Sequence, residues 1–231
     1  MSDKDTTFHN GHRDRLRQKF LDGKLTDYER LELLLGYVIP RRDVRPLARG
    51  LLERFGSVFN VITTPLEDLI SFPGIGRNTA IFLHLVHAMM IDGARGRVDM
   101  RPIHHDIKSL HAYCVMNMSG KTVEELHVLY LDDDNRVLHD EMHASGTIDC
   151  AAVYPREIIK HALSYNSTRI IIYHNHPIGD RSFSTPDLEL TLDLGRKLRA
   201  VDIELYDHFL ITNGLVHSAR EMGLMYELDV R

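Results

Sequence analysis

Cysteine is nearly absent: Cys114 and Cys150 are the whole complement of a 231-residue chain. Two thiols cannot build the disulfide framework that staples small secreted domains, so both are expected to be packing residues. Long apolar runs are missing too. The longest fall far short of the ~20 residues that cross a bilayer, and no membrane partner is expected. The N-terminus lacks the charged, apolar, small-residue succession of a secretory signal, which leads to the expectation of a cytoplasmic protein. Charge of one sign is also lacking. Residues 1–100 hold 15 Lys+Arg against 13 Asp+Glu, and the remainder 13 against 20. The front half therefore permits nucleic-acid contact without the basic stripe that usually accompanies it.

What is present is an ordinary globular composition, 43% hydrophobic and 26% charged, with enough apolar residues for two cores. The length exceeds the usual single domain, so two are expected. The first hundred residues read as helices. His12 to Leu21 sets Leu16 and Phe20 on one face; Thr26 and Glu29 have capping-box spacing before LELLLGYVI, which Pro40 stops; Gly56 closes PLARGLLERFG. Thr64-Pro65 predicts a further helix start, with Thr64 as the capping residue and proline at the first helical position. From Lys121 the period shortens. LHVLYLD and RVLHDEMHA read as paired strands, PREIIKHALSYN as an amphipathic helix, RIIIY as a buried strand and PDLELTLDLGRKLRAV as a second long helix. IELYDHFLIT and LVHSA form a hairpin through Asn213-Gly214. The Gly- and Arg-rich GARGRVDMRP is expected to be a linker near residues 93–104, dividing domains 1–98 and 105–231.

Fifteen histidines make about one His-x-His pair expected by chance, so the pair His174 and His176 needs its context. It lies at the end of a predicted strand, where alternation points both imidazoles to one side and Asn175 to the other. Pro177 stops the strand, and Ser184-Thr185-Pro186-Asp187 starts a helix that can return Asp187 to the pair. Two nitrogen donors and one carboxylate leave a fourth tetrahedral position open, the pattern of catalytic zinc sites, where bound water ionises near pH 7. Taken singly, the same residues also fit a strand end and a helix cap.

The whole pattern, His-x-His, ten intervening residues, then Asp with Ser three before it, resembles the JAMM motif of the MPN-plus (Jab/MPN) metalloproteases. More narrowly, HNHPIGD, the Ser-x-x-Asp followed by Thr191, SGT at 145–147, YPREI at 154–158 and Asp207-His208 resemble the RadC family, also called UPF0758. HRDRLRQKF, YVIPRRDVRPLA and LLERFGS extend the likeness into the front half. The resemblance implies an α+β protein: an all-α helix-hairpin-helix domain, then an α/β MPN (JAMM, cytidine-deaminase-like) domain with a central mixed sheet. It further implies Zn2+ held by His174, His176 and Asp187, with Glu124 opening the first strand as proton shuttle and Ser184 on the oxyanion. Glu125 is the fallback for Glu124, and Glu141 a third choice. The sequence departs from the family's usual HNHPSG by carrying Ile178, which bears on the shape of the site mouth.

In the front half, LISFPGIGRNTAIFL resembles a helix-hairpin-helix motif. Its glycines at 74 and 76 permit a tight turn and close approach of a phosphate. Such a hairpin serves either non-specific DNA contact through residues 69–83 or helix packing and protein docking. The other histidines, His84 with His87, His139 with His143, and His104-His105, show no third ligand at suitable spacing and are expected to be structural or exposed; His208 comes near the site by resemblance alone. The reaction expected is hydrolysis of a peptide or isopeptide bond in a protein substrate. The alternatives are a DNA-repair accessory protein with a structural or regulatory metal, and a metal-dependent nuclease.

Overall fold

The computed structural model describes residues 5–99, 102–146, 153–177 and 181–229. The chain divides into two compact units, Met1–Met89 and Met90–Arg231. The first is helical: α1 (Asp5–Leu21), α2 (Asp27–Val38), α3 (Arg45–Phe55), α4 (Val58–Thr63), α5 (Leu66–Ser71) and the start of α6 (Arg77–Asp99). Both bonds of the Thr26–Glu29 capping box are present, and Gly56 ends α3 at φ 85. Leu31, Leu35, Leu51, Val61, Leu69 and Leu83 form a closed apolar core. One cap differs from expectation. Pro65 rather than Thr64 caps α5, because the Thr64 hydroxyl donates to the Asn60 carbonyl at 2.6 Å and closes α4 instead.

The expected linker is largely helix, since α6 continues to Asp99. Its Ile91, Ala94 and Val98 recur at helical spacing and pack into a core of the second unit. That burial outweighs the ~1 kcal/mol that each interior glycine, Gly93 and Gly96, costs a helix. A 3-10 turn (Ile103–His105) leads to α7 (Ile107–Met118), a helix not anticipated from the sequence, capped by Asp106 and burying Leu110, Cys114 and Met118 at four-residue steps.

There follow β1 (Glu124–Leu131), β2 (Val137–Gly146), α8 (Pro155–Ser164), β3 (Arg169–Asn175), α9 (Thr185–Arg199), β4 (Glu204–Thr212), β5 (Leu215–Ser218) and α10 (Tyr226–Asp229). The sheet order is β2-β1-β3-β4-β5, mixed because β3 and β4 run parallel while the other neighbours are antiparallel. The expected α+β class and mixed sheet are thus observed. Asn213 and Gly214 both have positive φ, 51 and 73, as a two-residue hairpin of this twist requires.

Strand alternation divides the sheet into two apolar faces. Val128, Tyr130, Ile170 and Ile172 meet Ile158 and Ala162 of α8 and Leu194 and Leu198 of α9. Leu129, Leu131, Ile171 and Tyr173 meet α7 and the end of α6. Cys114 is buried there, and burial pushes its thiol pKa up, in keeping with a packing role. Cys150 and Ile178 lie outside the described residues. Among the described residues no helix is long and apolar enough to cross a membrane.

Candidate metal centre

The centre lies where β3 ends and α9 begins. His174 lies in β3, and although the strand ends at Asn175, the His176 amide still donates to the Ile211 carbonyl of β4 at 3.1 Å. Extended geometry therefore carries through His176. Asp187 is the N3 residue of α9, held by a reciprocal capping box: its Oδ2 accepts from the Ser184 amide and from Ser184 Oγ, each at 2.7 Å, while Ser184 Oγ accepts from the Asp187 amide at 3.3 Å.

These elements bring three donor groups together. His174 Nε2 is 3.2 Å from His176 Nε2 and 3.4 Å from Asp187 Oδ1, and His176 Nε2 is 3.5 Å from Asp187 Oδ2. An ion bound tetrahedrally at zinc's usual 2.0–2.1 Å separates its ligand atoms by about 3.3 Å. All three separations lie close to that value, the two to Asp187 ending on different carboxylate oxygens, so a small turn of the carboxylate fits the residues to a divalent metal. His174 and Asp187 are 1% and 2% exposed, and a carboxylate so enclosed requires cationic or hydrogen-bonded company. Burial works to raise the Asp187 pKa, but the interactions with His174, His176 and Ser184 outweigh it and hold the carboxyl well below the usual range.

A chain of bonds behind the cluster fixes the tautomer of His174. Thr191 Oγ1 donates to the Asp187 carbonyl at 2.6 Å, which leaves its lone pairs to accept from His208 Nδ1 at 2.6 Å. His208 then presents a bare Nε2, which accepts from His174 Nδ1 at 2.8 Å. His174 Nδ1 therefore carries a proton, which in the neutral ring leaves Nε2 as the nitrogen available to a metal. Complete burial, reinforced by the neighbouring His174, pushes the His208 pKa well below its ordinary value and keeps the ring neutral. Phe183 packs its edge against His208, ring centroids 5.0 Å apart. Asp207, on the opposite pleat, anchors the strand by accepting from the His208 amide at 2.7 Å and from Ser218 Oγ at 2.6 Å.

The strand that opens the domain is tied to the same place. Leu126 is the register partner of His174, and Glu124 lies two residues earlier on the same face of β1. Asn175, 4% exposed, points to the other side and clamps the start of β1: its Nδ2 donates to the Val123 carbonyl at 3.0 Å and its Oδ1 accepts from the Glu125 amide at 2.8 Å. The two bonds flank Glu124. Glu125 faces away, paired with Lys121 at 3.0 Å and His127 at 3.4 Å. Glu141 lies elsewhere, beside His161 of α8. Ser184 directs its hydroxyl proton at Asp187. Sequence reasoning missed the tasks of Asn175, Thr191 and His208, for which spacing carries no signal.

A profile described as a RadC-like JAB domain matches residues 104–224, which take in β1, both histidines, Asp187 and His208. The chain is 39% identical over 217 residues to a UPF0758 protein of Ruegeria pomeroyi, covering 93% of this chain and 97% of that one. It is likewise 39% identical over 213 residues to a UPF0758 protein of Rhodobacter capsulatus, covering 91% and 100%. The chain belongs to the RadC family. The mixed sheet is in keeping with a JAB-type domain, as is the His174, His176 and Asp187 group as a metal-binding set.

Proposed function

We propose that the chain is a zinc-dependent hydrolase of the JAMM type, cleaving a peptide or isopeptide bond. The observation that carries this reading is the approach of His174 Nε2, His176 Nε2 and the Asp187 carboxylate to within 3.2–3.5 Å of one another, with His174 and Asp187 buried. When bound, zinc supplies a Lewis acid and a nucleophile of hydroxide strength at neutral pH. Glu124, on the face that carries His174, accepts the proton of the attacking water on its carboxylate and returns it to the departing amine nitrogen. Asn175 fixes the backbone on either side of that glutamate, and His208 keeps the His174 proton on Nδ1. For Ser184 to donate to the developing oxyanion, its hydroxyl turns away from Asp187, while its backbone amide retains the carboxylate. Full-length protein loaded with zinc should cleave peptide-library substrates, and Glu124→Gln should lower turnover by about 10²–10⁴ while metal content is unchanged. Equal turnover in the variant overturns the assignment.

A nucleic-acid role is supported by the first unit. Gly74 turns the Pro-Gly-Ile-Gly segment at φ 95, and the Arg42 guanidinium lies 3.2 Å from where a Gly74 side chain would begin, setting a cation at the hairpin. Contact through residues 69–83 would read backbone phosphates, so duplex binding by the full chain should weaken steeply between 50 and 200 mM salt. Absence of salt-sensitive binding removes that reading. Nucleic-acid cleavage lost in His174→Ala, with no peptide turned over, would make the centre a nuclease.

A further inference from the structure

His143 lacks a third ligand within its own stretch of sequence, but the fold supplies one. Glu141 and His143 stand two apart on β2, facing α8, whose last turn carries His161. His143 is the extra residue where the register jumps from Leu126↔Ala144 to His127↔Met142, a bulge of the kind that re-aims a side chain. Glu141 Oε2 is 2.5 Å from His161 Nδ1 and 3.6 Å from His143 Nε2, and the three donor atoms all lie within 4.8 Å of one another. Tyr165 donates to the other oxygen of Glu141, which leaves Oε2 directed at the two imidazoles. Tyr130 OH lies 2.7 Å from His143 Nε2.

We propose that Glu141, His143 and His161 form a second site, for a divalent transition-metal ion of the class that imidazole and carboxylate together suit. It is built from β2 and α8, whereas the first centre is built from β3 and α9, so the two sites share no ligand. The side chains of Glu141 and His161 are 27% and 35% exposed and give an ion a way in, while His143 at 10% forms the floor. The Glu141–His143 edge already approximates the ~3.3 Å of a tetrahedral ion. The Glu141–His161 edge must open by less than about 1 Å on the same standard, a small rotation for a part-exposed side chain at a helix end. The ion takes the place of the proton on His161 Nδ1 that bridges to Glu141, the neutral ring carrying its proton on Nε2 instead after exchange with water, and it displaces the Tyr130 bond to His143. Losing those two hydrogen bonds makes this site weaker than the first.

The test is a titration of the chelator-stripped full-length chain with Co2+ alone, followed by calorimetry and visible absorption. Wild type should bind two ions per chain, one tight and one weaker. His161→Ala should keep the tight ion and lose the weaker, and Asp187→Ala should do the reverse. Because Asp187→Ala leaves Glu141, His143 and His161 intact, it tests the site without any substitution there. A single equivalent in wild type that disappears in Asp187→Ala overturns the proposal, as does a weaker equivalent that persists unchanged in His161→Ala.

Discussion

Replacing His208 by leucine should weaken metal binding although His208 touches no metal. The wild-type ring accepts from His174 Nδ1 at 2.8 Å inside a fully buried pocket, and Thr191 holds its other face at 2.6 Å. Leucine fills most of the space but offers no acceptor. The His174 Nδ1–H, on a residue 1% exposed, is then left unpaired at a cost of about 1–3 kcal/mol, and the tautomer with the proton on Nε2 becomes competitive. That tautomer aims its proton at the site and must be abandoned before the metal binds. The expected loss is about 10–100-fold in affinity, the range typical of removing a partner behind a metal-ligating histidine. At 1.4 kcal/mol per tenfold this is about 1.4–2.8 kcal/mol, in line with one unpaired buried donor. His208→Gln, whose amide oxygen can accept from Nδ1, should recover part of the loss. Competition titration of Zn2+ against a chelator measures the affinity, and nitrogen NMR of metal-free protein reads the His174 tautomer. Wild-type affinity in His208→Leu, or an Nε2-protonated His174 in the metal-free wild type, refutes the reasoning.

Asn175→Ala removes both bonds that hold the start of β1, so turnover should fall with zinc affinity nearly unchanged, and stability should drop by about 1–3 kcal/mol; kinetics beside a metal titration and a urea melt check the three parts. Asp140 is enclosed and accepts from Tyr113, from Tyr173 at 2.6 Å and from His127 at 3.0 Å. Burial works to raise its pKa, but those bonds outweigh it and hold the value below the ordinary 3.8. A folded value under the unfolded one stabilises fully above pH 3.8, and the contribution is lost as pH falls through the folded value. The gap in denaturant midpoint between wild type and Asp140→Asn should therefore be widest near neutrality and narrow below pH 3.8.

Local chemistry made much of this molecule legible in its sequence. Thr26 and Glu29 cap, Asn213-Gly214 turns, and a strand that places His174 and His176 on one side before a Ser-x-x-Asp helix start implies three converging donors. Patterns weakened where tertiary burial competes with local preference. Gly93 and Gly96 read as a linker, yet Ile91, Ala94 and Val98 find a core and keep α6 helical. Glu124 and Glu125 are equivalent as letters; sheet register and the Lys121 pair separate them, because adjacent side chains on a strand face opposite ways. His161 comes 18 positions after His143 and on another element, so no spacing rule joins it to Glu141. A tautomer set by Thr191 and His208 depends on which atoms meet across two elements, which periodicity does not encode.

The most direct test of the metal centre is the zinc content and affinity of full-length wild type beside Asp187→Ala, measured by elemental analysis after dialysis and by chelator competition. The Asp187→Ala chain should hold one fewer ion, the tight one, because the substitution removes one of three donor groups that lie within 3.2–3.5 Å of one another. Equal content and equal affinity in the two proteins would contradict the centre formed by His174, His176 and Asp187.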